Sequence, residues 1–154
     1  MTNIITKLAV TAAISLAMVT PSIAANPAIK ARQSLMQIYV FNISQLGAMA
    51  KGAVEYNSAA ATAAANNLLA AATMDQSAMW PQGTDNEAMF GETAALPAIW
   101  TTYPAVAEKG KALAEAAAAM AAVAGTDLAS LQGAIGALGG GCGGCHKQFR
   151  QPKD

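Results

Sequence analysis

The sequence predicts an all-α protein, an antiparallel four-helix bundle, and three observations lead to this fold class. The chain is rich in alanine, and only 5% of its residues are aromatic. It contains no run of alternating β-branched residues, the pattern of a half-buried strand. Four segments instead carry apolar residues at alternating steps of three and four, as one face of a helix does. This spacing favours left-handed packing of the helices in a bundle.

The first two helices are predicted from their starting residues and their apolar spacing. The first runs from about Pro27 to Lys51, because proline is favoured in a first turn, where its missing N–H would have no partner. The second begins near Asn57 or Ser58, both good N-caps, and continues to about Met74. The stripe of the first helix comprises Ile29, Arg32, Met36, Tyr39, Ile43 and Leu46.

An irregular section follows from Asp75 to about Pro97, punctuated by proline and glycine. Because it is longer than most loops in a compact domain, we expect it to pack against the bundle. The third helix covers roughly Ala98 to Ala124 and ends at Gly125. Pro104 lies inside this span, so the helix either starts there or is kinked.

The fourth helix, opened by Thr126 or Asp127, has the clearest pattern, and its core stripe includes both cysteines of the chain. Five glycines surround the first cysteine, and each costs about 1 kcal/mol relative to alanine inside a helix. This turn is therefore expected to fray unless the cysteines bind something that holds it. The stripe comprises Leu128, Leu131, Ile135, Leu138, Cys142, Cys145 and Phe149.

The end of this helix reads Cys142-Gly143-Gly144-Cys145-His146. Cys-x-x-Cys-His is the attachment sequence of a c-type haem, whose vinyl groups join the thiols and whose iron takes the histidine as an axial ligand. Residues three apart share one helix face, and the histidine projects from the same turn. We therefore predict one covalently attached haem c, held by Cys142 and Cys145. His146, the only histidine, is then the proximal ligand of the iron.

Three other uses of the cysteines are weaker. A thioredoxin-like dithiol needs a βαβ context, whereas this pair ends a helical chain. A structural zinc site needs four ligands, and two cysteines and one histidine are too few. A disulfide across two residues closes too small a loop to add much stability.

Residues 1–25 are predicted to be a secretory signal peptide that is removed. Lys7 supplies its positive charge, Leu8 to Val19 its short apolar run, and Ser22 to Ala25 a small-residue cleavage site. The apolar run is shorter than the about 20 residues that span a membrane, and a retained N-terminal anchor is the alternative. The mature chain, residues 26–154, is expected to be one periplasmic domain without a membrane span.

The mature chain is nearly neutral. The whole sequence has 9 basic and 9 acidic residues, and the segment removed contains one lysine and no acid. The remaining 8 basic and 9 acidic residues give no strong field to attract nucleic acid, so we expect no such partner.

The mature chain resembles the class II cytochromes c, the cytochrome c′ and cytochrome c-556 family. The haem motif lies at the far end of a four-helix pattern, as it does in that family. Further likeness lies in Arg32-Gln33-Ser34-Leu35-Met36, Trp80-Pro81-Gln82-Gly83-Thr84, Ala98-Ile99-Trp100 and Cys142-Gly143-Gly144-Cys145-His146-Lys147-Gln148-Phe149-Arg150. The resemblance implies a four-helix bundle around a buried haem.

The resemblance also implies roles for four further residues. In the family, the residue four positions after the arginine faces the distal side of the haem, where methionine ligates iron and leucine leaves it five-coordinate. Met36 holds this position, with core packing as its alternative role. Arg32 and, more weakly, Gln33 would lie near the haem propionates, unless Arg32 is simply a solvated charge. Arg150 would shield the proximal side, or simply favour the helix C-terminus.

No catalytic constellation is recognisable, so we expect no enzyme. The predicted function is electron transfer with redox partner proteins through a six-coordinate His/Met haem. The alternative is a five-coordinate cytochrome c′-type protein that binds NO or CO, and a hybrid would let a gas displace Met36. The resemblance also implies a homodimer through the first two helices, where Val40 and Phe41 lie beside the core stripe. The other role for these two residues is burial within one chain.

Overall fold

The computed structural model describes residues 26–152, so the predicted signal peptide, residues 1–25, lies outside the described part. Within it the structure is helical, with no strand and one isolated bridge between Ala95 and Arg150. The predicted all-α class is confirmed. The helices are α1 (Pro27–Ala50), α2 (Ser58–Thr73), α3 (Ala98–Thr101), α4 (Ala105–Val123) and α5 (Leu128–Phe149), with a short 3-10 helix at Ser77–Met79.

The four long helices form the bundle. α1 packs against α2 and α5, and α4 packs against the same two helices. The largest fully buried side chains, Leu46, Met120, Leu131 and Leu138, lie in one apolar cluster between them. None of the helices in residues 26–152 is both long and apolar enough to cross a membrane.

Three of the long helices begin at polar caps, and the sequence predicts those of α2 and α5. The side chain of Asn26 accepts hydrogen bonds from the backbone N–H groups of Ala28 and Ile29. Asn57 caps α2 and Asp127 caps α5 in the same way. The hydrogen bonds that Asp127 accepts lower the pKa of its carboxyl. These caps explain why the predicted starts agree with the structure to within one or two residues.

The buried stripe of α1 differs slightly from the predicted one. Leu35 and Asn42 are buried, whereas Met36 and Ile43 are only partly buried. The fully buried residues still recur at steps of three and four, on a helix face that packs against both α2 and α5. Asn42 points towards α2, where it accepts a hydrogen bond from Asn67 at 3.2 Å.

The predicted third helix is divided in two. The helix is interrupted at residues 102–104, between α3 and α4, and Pro104 immediately precedes α4. Proline inside a continuous helix would remove one hydrogen bond and clash with the preceding turn. Of the two alternatives that Pro104 left open, the structure therefore has the long helix starting there.

α5 is continuous through the glycine-rich segment Gly139–Gly144. A Cβ atom at Gly141 would lie 3.1 Å from Cα of Leu113, so glycine allows α4 and α5 to approach closely there. At Gly140 the same atom would meet nothing within 4 Å. The two positions therefore have different reasons to be glycine. The expected fraying of this segment without haem stays a prediction.

We expect Gly140→Ala to raise the free energy of unfolding by about 1 kcal/mol, because alanine is the better helix former and its methyl group is unobstructed. Gly141→Ala should gain less or become destabilising, because its methyl group presses on the α4 backbone. Urea unfolding of both holoprotein variants measures the difference. Equal stabilisation by the two substitutions would contradict the close approach at Gly141.

Candidate haem site

The two thiols of Cys142 and Cys145 lie on the inner side of α5 and are free and partly buried. Burial is the main cause that raises the pKa of both thiols, and Lys109 opposes it at Cys145. The thiols are therefore held protonated at neutral pH. A dithiol oxidoreductase instead needs a thiol activated to the thiolate, so this environment does not favour an oxidoreductase function for the two cysteines.

His146 follows on the same turn and is also partly buried. Burial, and after it the positive charge of Arg150, lowers the pKa of the imidazole below its usual value near 6.5. The neutral form, which ligates metals, is thus favoured at pH 7 and is lost only at lower pH. Nη1 of Arg150 lies 3.5 Å from Nδ1 of His146, so Nε2 is the ring nitrogen that could ligate a metal.

One hydrogen bond marks how α1 lies along α5. Nε2 of Gln132 donates a hydrogen bond to the carbonyl oxygen of Ala50 at 2.8 Å. Ala50 is the last residue of α1, whereas Gln132 lies near the start of α5. Because the two helices pack against each other, they are antiparallel.

This register places Met36 opposite the haem motif. Met36 lies 14 residues before Ala50, and His146 lies 14 residues after Gln132, so both lie about 21 Å from that hydrogen bond in the same direction. Met36 is therefore level with Cys145 and His146. Its side chain is partly buried and packs against the central apolar cluster. The thioether and the imidazole thus come from facing helices at one height of the bundle.

The side chains of Trp80 and Trp100 form an aromatic wall beside the haem motif. The rings of Trp80 and Trp100 are 6.3 Å apart, and Nε1 of Trp100 donates a hydrogen bond to the carbonyl oxygen of Trp80 at 3.0 Å. Both indoles pack in a second apolar cluster with Ile99, Phe149 and Cys145. The long loop that carries Trp80 thus packs on the bundle, as predicted.

Arg32 is buried, and it is bound to that loop. Nη1 donates hydrogen bonds to the carbonyl oxygen of Met79 and to Oγ1 of Thr84. Nη2 donates to the carbonyl oxygen of Thr84 and to Oγ1 of Thr93. The guanidinium also lies 4.9 Å from the centre of the Trp80 ring. Because Arg32 is buried and hydrogen-bonded, the alternative of a solvated helix charge does not describe it.

Gln33 and Arg150 are exposed and lie where the loop meets the helix ends. Nε2 of Gln33 donates a hydrogen bond to the carbonyl oxygen of Glu92 at 2.7 Å. The backbone around Arg150 pairs with the loop, where Gln151 N–H donates to the carbonyl oxygen of Ala94 at 2.8 Å. Arg150 thus lies beside His146, whereas Gln33 is bound to the loop.

The residues present fit a covalently bound haem c. Two neighbouring thiols, a neutral imidazole on the same turn and a facing thioether form the donor set that such a haem uses. The sequence motifs located these residues, but they gave no role to Thr84 and did not include Thr93, whose contacts with Arg32 the structure shows. These two are identifiable only from the structure, because their partner Arg32 is 52 and 61 residues away along the chain.

Comparisons with known proteins identify the family to which the chain is similar. The family described as Cytochrome C′ matches residues 27–150. A cytochrome c-554 of Cereibacter sphaeroides is 45% identical over 124 residues, which cover 80% of this chain and 92% of the relative. A cytochrome c′ from the same species is 34% identical over 122 residues, covering 79% of this chain and 81% of the relative.

Solved structures show the same fold. A cytochrome c′ from Rhodobacter sphaeroides has a TM-score of 0.79 and 36% identity, covering 82% of this chain and 96% of its own. A leucine variant of cytochrome c′ from Alcaligenes xylosoxidans, solved as its nitric oxide complex, has a TM-score of 0.71 and 26% identity, with coverages of 82% and 94%.

The family match spans nearly the whole described part, and the relatives match it over most of their own length. The four-helix bundle with the cysteines near its C-terminus is the architecture of those relatives. The chain therefore belongs to the cytochrome c′ family of class II cytochromes c, whose members carry covalently bound haem c.

Proposed function

We propose that the chain binds a small gas such as NO or CO at the iron of its haem, on the side opposite His146. The observation that carries this proposal is the match to cytochromes c′ solved as gas complexes. Two of these, both variants from Alcaligenes xylosoxidans, hold nitric oxide in one case and carbon monoxide in the other. Each covers more than four fifths of this chain with a TM-score of 0.71.

In this proposal Cys142 and Cys145 attach the haem and His146 is the proximal ligand. The haem supplies an iron that can change oxidation state and take a ligand on its distal side. Arg150 bounds the proximal side, since its guanidinium lies 3.5 Å from the imidazole. Gln33 and Arg32 bound the opposite edge through their bonds to the loop.

Met36 competes with the gas for the iron. It lies level with His146 on the facing helix, and its thioether is a good soft ligand for haem iron. The second candidate function, electron transfer with a redox partner protein, rests on this one observation. A thioether that stays bound keeps both axial positions filled, which suits one-electron transfer and opposes gas binding. Neither function requires a catalytic reaction of the chain itself.

We further propose that residues 1–25 are a signal peptide and that residues 26–154 act as one domain in the periplasm. The charge at Lys7, the apolar run and the small-residue cleavage site support this. The position of Asn26 agrees with it, because this first residue of the proposed mature chain caps α1.

We also propose a homodimer through α1 and α2. On α1, Ile38, Val40 and Phe41 have exposed fractions of 48%, 56% and 66%, so this apolar side is not buried within one chain. Ile38 and Phe41 are three residues apart and share one face of the helix. A contiguous exposed apolar patch of this kind is typical of a protein interface.

Carbon monoxide added to the ferrous holoprotein distinguishes the two functions. We expect the wild type to bind CO with a shift of its Soret band, and Met36→Leu to raise the apparent affinity by about tenfold or more. A competing ligand that occupies the iron nine tenths of the time lowers affinity by that factor. Met49→Leu, which changes a buried methionine at the far end of α1, should leave the affinity unchanged. A wild-type spectrum that ignores saturating CO would instead establish the electron-transfer function.

His146→Ala should leave the haem attached through its two thioethers but remove the proximal ligand, with a changed optical spectrum in both oxidation states. Lys147→Ala alters the next, exposed residue and serves as the control with a normal spectrum. If His146→Ala retained the wild-type spectrum, the proximal assignment would be wrong.

Phe41→Glu should weaken the dimer by about tenfold or more, because a central aromatic side chain at an interface contributes over 1 kcal/mol. Phe90→Glu is the matched control, since Phe90 is 93% exposed and lies on the loop instead of on α1. Sedimentation velocity over a range of concentrations measures both. Equal weakening by the two substitutions, or none by Phe41→Glu, would contradict an α1 interface.

A further inference from the structure

Arg32 carries a buried charge with no acidic side chain in contact within residues 26–152. The residue is only 3% exposed, and the ion pair found in this part of the chain joins Lys111 to Glu115. A buried guanidinium without a counter-ion is unfavourable unless its N–H groups are hydrogen-bonded. The hydrogen-bond acceptors around Arg32 therefore indicate which part of the chain it holds in place.

Those partners all belong to the loop between α2 and α3. Nη1 donates to the Met79 carbonyl oxygen at 3.1 Å and to Oγ1 of Thr84 at 2.9 Å. Nη2 donates to the Thr84 carbonyl oxygen and, at 3.1 Å, to Oγ1 of Thr93. Both terminal nitrogens of the planar guanidinium thus donate hydrogen bonds to Thr84, a geometry that a lysine does not reproduce.

The burial and the other hydrogen bond of Thr84 hold it in place for this contact. It is 4% exposed, and its hydroxyl donates a hydrogen bond to the carbonyl oxygen of Pro81 at 2.7 Å while it accepts from Arg32. This bond closes the turn that follows Trp80. The Trp80 ring in turn lies against the guanidinium and packs in the cluster that contains Cys145. A loop that moved away from Arg32 would therefore also move the aromatic wall beside the haem motif.

We propose that Arg32 is a positioning residue that anchors residues 79–93 over α1 and so controls access to the iron beside Met36. This inference rests on the proposed gas-binding function. Met36 lies one turn beyond Arg32, and Met79 packs against the same apolar cluster as Met36. Loosening the anchor opens the loop more often, and gas enters faster. A contact with a haem propionate would act through the charge of Arg32, whereas this role acts through Thr84.

The test is a double-mutant cycle on the holoprotein with Arg32→Lys, Thr84→Val and the double variant. Flash photolysis and stopped flow measure the CO association rate, and mass spectrometry measures amide hydrogen exchange in residues 79–96. Each single variant should raise both rates on the order of fivefold, the effect of losing about one buried hydrogen bond. The double variant should add little to the effect of Arg32→Lys, because both changes remove the hydrogen bond from Nη1 of Arg32 to Oγ1 of Thr84.

A charge role gives a different result, because Arg32→Lys keeps the charge and Thr84→Val never touches it. If Thr84→Val left both rates at their wild-type values, the anchor would be refuted. Tyr56→Phe is the control for general destabilisation: it removes a 2.9 Å hydrogen bond to the Ala124 carbonyl oxygen at the other end of the bundle. An equal rise of the CO rate in Tyr56→Phe would likewise overturn the proposal.

The two proposals fail separately. If the wild type takes up no CO, gas binding fails, but hydrogen exchange in Arg32→Lys and Thr84→Val still decides whether the anchor exists. If CO binds and the loop exchanges at the wild-type rate in both variants, gas binding stands and the anchor fails.

Discussion

The antiparallel pairing of α1 with α5 is the constraint on which the candidate site depends. α5 brings two thiols and an imidazole to one turn through local spacing alone, but the opposite side of the site has to come from another helix. The register marked by the hydrogen bond between Gln132 and Ala50 brings Met36 to that height. A shift of α1 by one residue would turn Met36 by about 100° away from the motif, so the register would govern whether Met36 can reach a haem bound there.

Close packing of α4 against α5 also helps to hold α5 in place. Glycine at position 141 lets the α4 backbone approach, and a larger residue would push α5 away from its neighbour. The same run of glycines weakens α5 as an isolated helix, since glycine is a poor helix former. The segment that carries both cysteines is thus weak as an isolated helix and relies on tertiary contacts, and the predicted fraying without haem would make it depend on the cofactor as well. Bundle packing, rather than helix propensity, stabilises most helices of this kind.

The parts of the fold that follow from local chemistry could be predicted from the sequence, and the parts that follow from distant contacts could not. Asn26, Asn57 and Asp127 cap helices through bonds to residues two or three positions away, so their role is readable locally. The partners of Arg32 lie 47 to 61 residues away, and a loop without periodicity gives no sign of where its carbonyl groups point. The burial of Arg32 could not be predicted either, because an arginine in an apolar stripe usually extends its guanidinium into solvent.

The two proposed functions, gas binding and electron transfer, differ in which ligand binds the haem iron opposite His146. Both would use the same His146, the same attached haem and the same bundle, so fold alone does not separate them. They would be separated by how often the Met36 thioether occupies the iron, and that would depend on how firmly α1 and the loop between α2 and α3 are held. A rigid distal side favours a permanent thioether ligand, because the ligand loses little freedom on binding. A loop that opens would shift the balance towards an external ligand. Under the proposed anchor role, Arg32, one turn from Met36 and bonded to Thr84, would set this balance.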